Sequence, residues 1–391
     1  MLNRNLWYGI TGIMIIFGII GIGNIFIHGE HVMGTSNYVP WGSLIGAYVF
    51  FVAISTGLTF LSSMVHVFKM KQFEFLTKRL TLASIATLLM GFVMIGVELG
   101  NPLAMVYILV TPNVMAPIFW MGAFYGLYLV LHIIEFFFQI KDNHKIVNTI
   151  SPFVLVVGIA AQSTLGAVFG LSVARGIWNS AYLSIFFLIM AFVSGLAVAM
   201  IMAFFLSKGN VMKQEDREKL PGLYPFMSKL TMGLLAVGII FVTWNWIYGL
   251  HSGNPNRMAS MELMLNGPLA VPYWVLEVGF VFLIPLLILG LVKAKKAATM
   301  LTTGVVLLIG LFAMRIILTF AGQMVPLEVV TGSLTMNELR DVSILWSEWA
   351  TMIFGVGGSI LIYMLGERFL NLDVTEHGSH GTHDKKATQA S

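Results

Sequence analysis

The chain has 391 residues, 58% of them hydrophobic and only 10% charged, with a net charge of +4. An ordinary soluble domain is about 25% charged, so this composition excludes a conventional soluble enzyme, a disordered chain and a fibrous repeat, and the small net charge gives no footing for nucleic acid. With no cysteine, the chain itself offers no disulfide, thiolate nucleophile, thiolate zinc site or iron–sulfur ligand.

Ten apolar runs reach the roughly 20 residues that cross a bilayer. They fall at roughly 6–27, 41–66, 80–100, 115–139, 148–170, 181–206, 229–250, 272–292, 298–320 and 344–366. In lipid each segment must satisfy its own backbone, so the runs are predicted to be helices. The predicted fold is an all-α polytopic membrane protein with one integral membrane domain over 1–370. Residues 371–391 read as a disordered cytoplasmic tail carrying His377, His380 and His383. The first run does not read as a cleaved signal peptide, because it is long and holds Asn24 and His28 at its far end.

Basic residues orient the spans. Eighteen fall in segments on one side, from Arg4 through Lys69, Lys71, Lys78 and Arg79 to Arg368, Lys385 and Lys386. Only Arg175, Arg257 and Arg340 fall in the opposite loops. The expected location is the cytoplasmic membrane, with both termini cytoplasmic.

Charge at the centre of a membrane costs about 2.5–3.5 kcal/mol on insertion scales and usually marks a site or pathway. Glu98, Glu135, Glu277, Arg315 and Glu348 lie in the apolar runs. All but Glu135 sit in the outer third of their spans. Arg175, Trp178 and Asn179 occupy the short outer link before the sixth span, and Gln323 follows the ninth. The expectation is one polar pocket near the outer face. Towards the cytoplasm, His132 and Glu135 are three apart on one helix face, and His66 ends the second span. A histidine beside a carboxylate in low dielectric suits a proton relay. His66 and His132 are also the only histidines placed within spans for a b-haem, a reading that a visible spectrum decides. A secondary transporter with these charges as its substrate site is the other alternative.

Seven stretches, in order, resemble one family. They are VPWGSLIGAYVFFVAISTG (39–57), VELGNPLAMVYIL (97–109), APIFWMGAFYGLYLVLHIIEFF (116–137), STLGAVFGLSVARGIWNSAYLSIFFLIMAFVSGLA (163–197), YWVLEVGFVFLIPLLIL (273–289), FAMRIILTFAGQMVP (312–326) and SEWATMIFGVGGSILIYMLGERFL (347–370). Together they resemble the NrfD-like membrane subunits of polysulfide reductase and related respiratory complexes, in the longer ten-span form. Asn101 stands where that family often has arginine, and Gly176 where it often has proline. The opening core helix shows Tyr48 and apolar residues instead of the Asn and His of short members.

The resemblance implies two four-helix bundles, spans two to five and six to nine, flanked by an extra helix at each end. It implies a menaquinone or menaquinol site near the outer face, with no haem or iron–sulfur cluster in this chain. The implied partners are a ferredoxin-like iron–sulfur subunit docked on the outer face and, beyond it, further catalytic or multihaem cytochrome c subunits. On this reading Glu98 and Arg175 are the catalytic residues, Glu98 as the acid–base group and Arg175 as a donor that biases the local potential. Asn101, Tyr48, Trp178, Asn179, Glu277, Arg315 and Glu348 contact the quinone. His132, Glu135 and His66 form the proton path to the cytoplasm.

Overall fold

The computed structural model describes residues 4–103, 107, 110–209, 211–291, 296–326 and 339–373. The described residues are helical with short connections, and ten of the helices are long and apolar enough to cross a membrane. In chain order the helices are α1 (Arg4–His28), α2 (Ser43–His66), α3 (Thr77–Glu98), α4 (Pro117–Ile140), α5 (His144–Gly170), α6 (Leu183–Lys208) and α7 (Gln214–His251). Then come a short α8 (Pro255–Leu265) and the spans α9 (Ala270–Leu291), α10 (Ala297–Met324) and α11 (Trp346–Phe369).

The packing follows the expected plan. Helices α2, α3, α4 and α5 pack on one another as a first bundle, and α6, α7, α9 and α10 as a second. The bundles meet where α6 and α10 lie against α2. Helix α2 is the most interior span, with 89% of its most apolar window buried, against 22% for α1. Two glycines set the α2–α6 approach. A β-carbon on Gly57 would collide with the Ala191 carbonyl, and one on Gly195 with the Gly57 backbone. Lipid offers no hydrophobic drive between helices, so close backbone packing of this kind is what holds the bundles together. Helices α1 and α11 pair antiparallel and join the first bundle through α3, with Gly18 and Gly21 of α1 accommodating Phe354 and Ala350.

Four expectations change. Helix α7 starts at Gln214, not near 229, and runs 38 residues through Pro221 and Pro225. At about 1.5 Å per residue it overshoots the bilayer, and Glu215 and Asp216 in its first turn complement the helix dipole. Second, α9 is π-helical over Tyr273–Leu283. Third, Lys78 and Arg79, counted as loop charges, lie buried in the first turn of α3. Arg79 bonds Glu367 (2.7 Å) and Asp373 (3.1 Å), and Lys78 bonds Asp142 (2.8 Å) and the Asp373 carbonyl (2.9 Å). Fourth, those contacts and the burial of Leu372 fix residues 371–373 against the first bundle. Residues 374–391, the rest of the expected tail, lie outside the described residues.

Candidate functional site

Both ends of the described chain lie on one face of the spans, here the terminal face, where Asp373 meets the start of α3. The site expected from the sequence lies at the other face. A helix start leaves backbone N–H groups without intrahelical partners and carries partial positive charge. At the start of α2, three other spans supply the acceptors to residues 41–43. Glu98, the last residue of α3, accepts from Gly42 N at 2.5 Å. Glu348 of α11 accepts from Ser43 N (3.3 Å) and Ser43 Oγ (2.6 Å). Gln323 of α10 accepts from Trp41 N (2.9 Å) and donates to Trp41 O (2.8 Å). Gly42 is a packing requirement, since a β-carbon there would lie 2.9 Å from Glu98 Oε1.

The two acids differ in what remains free. Glu348 also accepts from Gly34 N and Leu345 N, each at 2.9 Å, so its carboxylate is fully occupied by the protein. Glu98 keeps Oε2 buried and without a partner, and Thr35 Oγ1 beside Gly42 is buried and unpartnered too. Buried polar atoms normally find partners. Two orphaned oxygens at one helix start therefore fit a small ligand that donates to the one and bonds the other.

The remaining expected contacts spread out around this point. Trp178 is buried, stacked on Trp41 (centroids 4.9 Å, 19°), and its indole donates to Leu318 O at 2.7 Å. Asn101 and the Asn179 side chain are exposed, and Tyr48 is buried deeper, edge-on to Tyr125. Arg175 is half-buried in the 171–182 link, and burial lowers its guanidinium below the usual arginine value. Among the described residues no ion pair joins it to Glu98, whose electrostatic neighbours are Glu348 and Glu30.

The one outer pocket expected from the sequence resolves into two places. Glu277 sits on the π segment of α9 and borders a cavity of about 50 Å³, shared with Tyr182, Asn245 and Tyr273. Burial pushes the Tyr182 phenol up to about 12, against the opposing charge of Arg257. Arg315, 1% exposed, holds its guanidinium 4.4 Å from the Phe187 ring centroid, and both terminal nitrogens lack partners. Its charge acts on Glu277 without a direct bond.

Towards the terminal face the first bundle holds a continuous polar chain. Glu135 Oε1 accepts from Ser151 (2.5 Å), and its Oε2 lies 3.0 Å from His132 Nδ1. His132 Nε2 is 3.3 Å from Thr59 Oγ1, which is 2.5 Å from Tyr128 OH and 3.1 Å from Ser84 Oγ. Ser55 closes the group at 2.9 Å from Ser84. One turn on, Tyr125 OH donates to Gln162 Oε1 at 2.8 Å. The expected neighbours His132 and Glu135 are thus joined. His66 lies beside them, 3.3 Å from Asn148 and lining a small cavity with Gln139 and Lys78.

Sequence reasoning missed Thr35, the hydroxyls of this chain and Arg257. The α4 signal was present: Tyr125, Tyr128, His132, Glu135 and Gln139 are spaced 3, 4, 3, 4, one helix face. Arg257, counted as a loop charge, is buried. It donates to Gly176 O, Asn179 O and Asn245, tying α8 to the 171–182 link.

A family model described as "Polysulphide reductase, NrfD" matches residues 31–327. The chain belongs to the NrfD family. Among its curated relatives, a selenate reductase subunit of Mesobacillus selenatarsenatis is 23% identical over 98% of this chain and 97% of that protein. An Hdr-like menaquinol oxidoreductase integral membrane subunit of Archaeoglobus fulgidus is 23% identical over 88% of each chain. A putative dimethyl sulfoxide reductase membrane subunit of Halobacterium salinarum is 22% identical over 88% of this chain and 83% of that protein. This NrfD protein is therefore a multi-pass integral membrane protein. The family match spans both four-helix bundles and excludes all of α1 and all of α11.

Proposed function

We propose that this chain is the quinone-reactive membrane subunit of a respiratory reductase complex. The single observation that carries the reading is Glu98, an acid at a helix start with one oxygen bonded to Gly42 N and the other buried and free. The relatives' names, a menaquinol oxidoreductase subunit among them, point the same way. A quinone headgroup supplies two-electron, two-proton chemistry at its two carbonyl oxygens. Glu98 Oε2 is the acid–base group that gives or takes one of those protons. Thr35 Oγ1 donates to the neighbouring oxygen and stabilises developing negative charge there. Trp41 and Trp178 make an aromatic wall beside the site.

The electrons come from or go to another chain, because this one has no cysteine to hold a cluster. The partner is a ferredoxin-like iron–sulfur subunit on the Glu98 face, with a catalytic or multihaem cytochrome c subunit beyond it. Arg175, with no ion pair among the described residues, puts a positive charge on that face. The terminal face is cytoplasmic, by the 18-to-3 split of basic residues. His132, Glu135 and His66 couple the site to cytoplasmic protons. Glu98→Gln in the assembled complex is expected to cut quinol-dependent electron transfer at least tenfold while the complex still assembles, since glutamine still accepts from Gly42 N. Unchanged turnover would remove Glu98 from the mechanism.

A further inference from the structure

The first turn of α11 and the residues before it lie along the link that carries Thr35. The Arg340 guanidinium sits 4.1 Å over the Tyr38 ring. The Ser343 carbonyl rests against Gly34, so closely that a β-carbon on Gly34 would collide with it. Ser347 Oγ donates to Val32 O. Glu348 Oε2 accepts from Gly34 N at 2.9 Å, and its Oε1 accepts from Ser43 N and Ser43 Oγ. Residues 340–348 thus strap the 32–43 link at both ends and between them. The strap lies beyond the family match, which stops at 327. An acid in the first turn of a helix commonly turns back onto its own cap, and Glu348 does so with Leu345 N (2.9 Å). Capping occupies one of its bonds. The other three go to Gly34 and Ser43, 314 and 305 residues away in sequence. Helix capping alone gives no reason for them.

The effect of these bonds falls on Thr35, whose two chain neighbours are held in different ways. Ser36 closes a turn of its own, exchanging backbone bonds with Val39 (3.0 and 3.1 Å). Gly34 is held by Glu348. Among the described residues this is the one hydrogen bond that joins residues 33–38 to another span. Thr35 lies between the two, with its methyl group beside Gly42 and its hydroxyl buried without a partner. A functional side chain keeps its geometry only when the residues around it lock its backbone. We propose that Glu348 is a positioning residue of the Glu98 site: with Ser347 it clamps the 32–36 segment so that Thr35 Oγ1 faces the ligand. Glu348 itself makes no contact with substrate, because four protein donors occupy its two oxygens. Helix α11, which the family match excludes, is on this view part of the site. The clamp rests on the quinone reading above and adds to it the support of its Thr35 donor. It works through accepted hydrogen bonds, not through charge. Glutamine at 348 keeps an oxygen for Gly34 N and Leu345 N, while Ser43 Oγ turns to accept from the amide. Alanine keeps none of the four bonds.

The test measures kcat/KM per assembled complex, with menadiol as donor and an artificial dye as acceptor. Each menadiol oxidised delivers two electrons to the dye and two protons to the medium. Thr35→Val and Glu348→Ala are each expected to lower kcat/KM by about tenfold, the loss of one hydrogen bond to the ligand. Their combination is expected to lower it no further than either alone, because both act on one hydroxyl. Glu348→Gln is expected to stay within about twofold of wild type. Effects that multiply in the double variant, a glutamine loss equal to the alanine loss, or an unchanged rate in Glu348→Ala or in Thr35→Val each overturn the clamp. If Glu348→Ala does not assemble, Ser347→Ala decides, since it removes only the Val32 bond. It is expected to lower kcat/KM about threefold in the wild-type background and not at all beside Thr35→Val. No fall in the first, or the same fall in both, overturns the clamp. A wild-type complex that does not oxidise menadiol removes the quinone reading and the clamp with it. Menadiol oxidation that is indifferent to Glu348 removes the clamp alone.

Discussion

The two bundles treat buried polar groups in opposite ways. In the first, Glu135 is met by His132 and Ser151, and the Tyr128 hydroxyl lies within hydrogen-bonding reach of Thr59, Ser55 and Ser84. In the second, Glu277 and Arg315 have no hydrogen-bond partner among the described residues, and a cavity lies against the acid. A satisfied network stiffens a core, whereas an unsatisfied group costs stability and is kept for another reason. The first bundle thus holds its buried acid in a satisfied network, whereas the second keeps buried ionisable groups unbonded beside a cavity.

The contrast is sharpest when an acid is removed. Glu135→Ala strands a buried histidine, while Ser151 falls back on the Val147 carbonyl (2.9 Å), and breaking a buried pair of this kind costs about 3–5 kcal/mol. The expected outcome is a large fall in the thermal unfolding midpoint of the purified chain in detergent. A midpoint within error of wild type would mean that the network adds no stability. Gly57→Ala tests the seam between the bundles. Its methyl group meets the Ala191 carbonyl, and overpacking typically costs about 1–3 kcal/mol. The seam is expected to loosen, seen as faster proteolysis between the α2–α5 and α6–α10 halves and a smaller fall in the midpoint than for Glu135→Ala.

Much of this organisation was legible in the sequence. Apolar run length gave ten spans, because the bilayer imposes a single length scale on every helix. Charge at membrane depth singled out Glu98, Glu135, Glu277, Arg315 and Glu348. Position along a span could not say which way each side chain turns. Glu98, Glu348 and Gln323 converge on α2 because they approach from three different spans, whereas Glu277 and Arg315 turn into the second bundle. Sign of charge misled at Arg257, Lys78 and Arg79, which the orientation rule counts as loop cations. The rule reads number and side, not the carbonyls and carboxylates that bury each one. Hydroxyls on apolar helices such as Ser55, Thr59 and Ser84 carry no periodic signal that separates a network from ordinary packing. The π segment of α9 has no compositional mark, since its residues also suit an α-helix.

Glu277→Gln carries the smallest expected change in stability, and it is the one that separates the bundles. The substitution keeps the shape of the side chain. It removes an ionisable carboxyl that no donor among the described residues meets and whose counter-charge, Arg315, makes no direct bond to it. In the first bundle the equivalent change, Glu135→Gln, turns one of two bonded acceptor oxygens into an amide donor; here it breaks no bond among the described residues. The cost of burying an ionisable carboxyl without a partner is removed, while Arg315 loses a distant attraction, and the two effects oppose each other. The unfolding midpoint is therefore expected to stay at the wild-type value or rise, by no more than about 1 kcal/mol. A clear fall would mean that Glu277 is held by the protein as firmly as Glu135. The cavity beside it would then be a packing defect, and the asymmetry between the bundles would disappear.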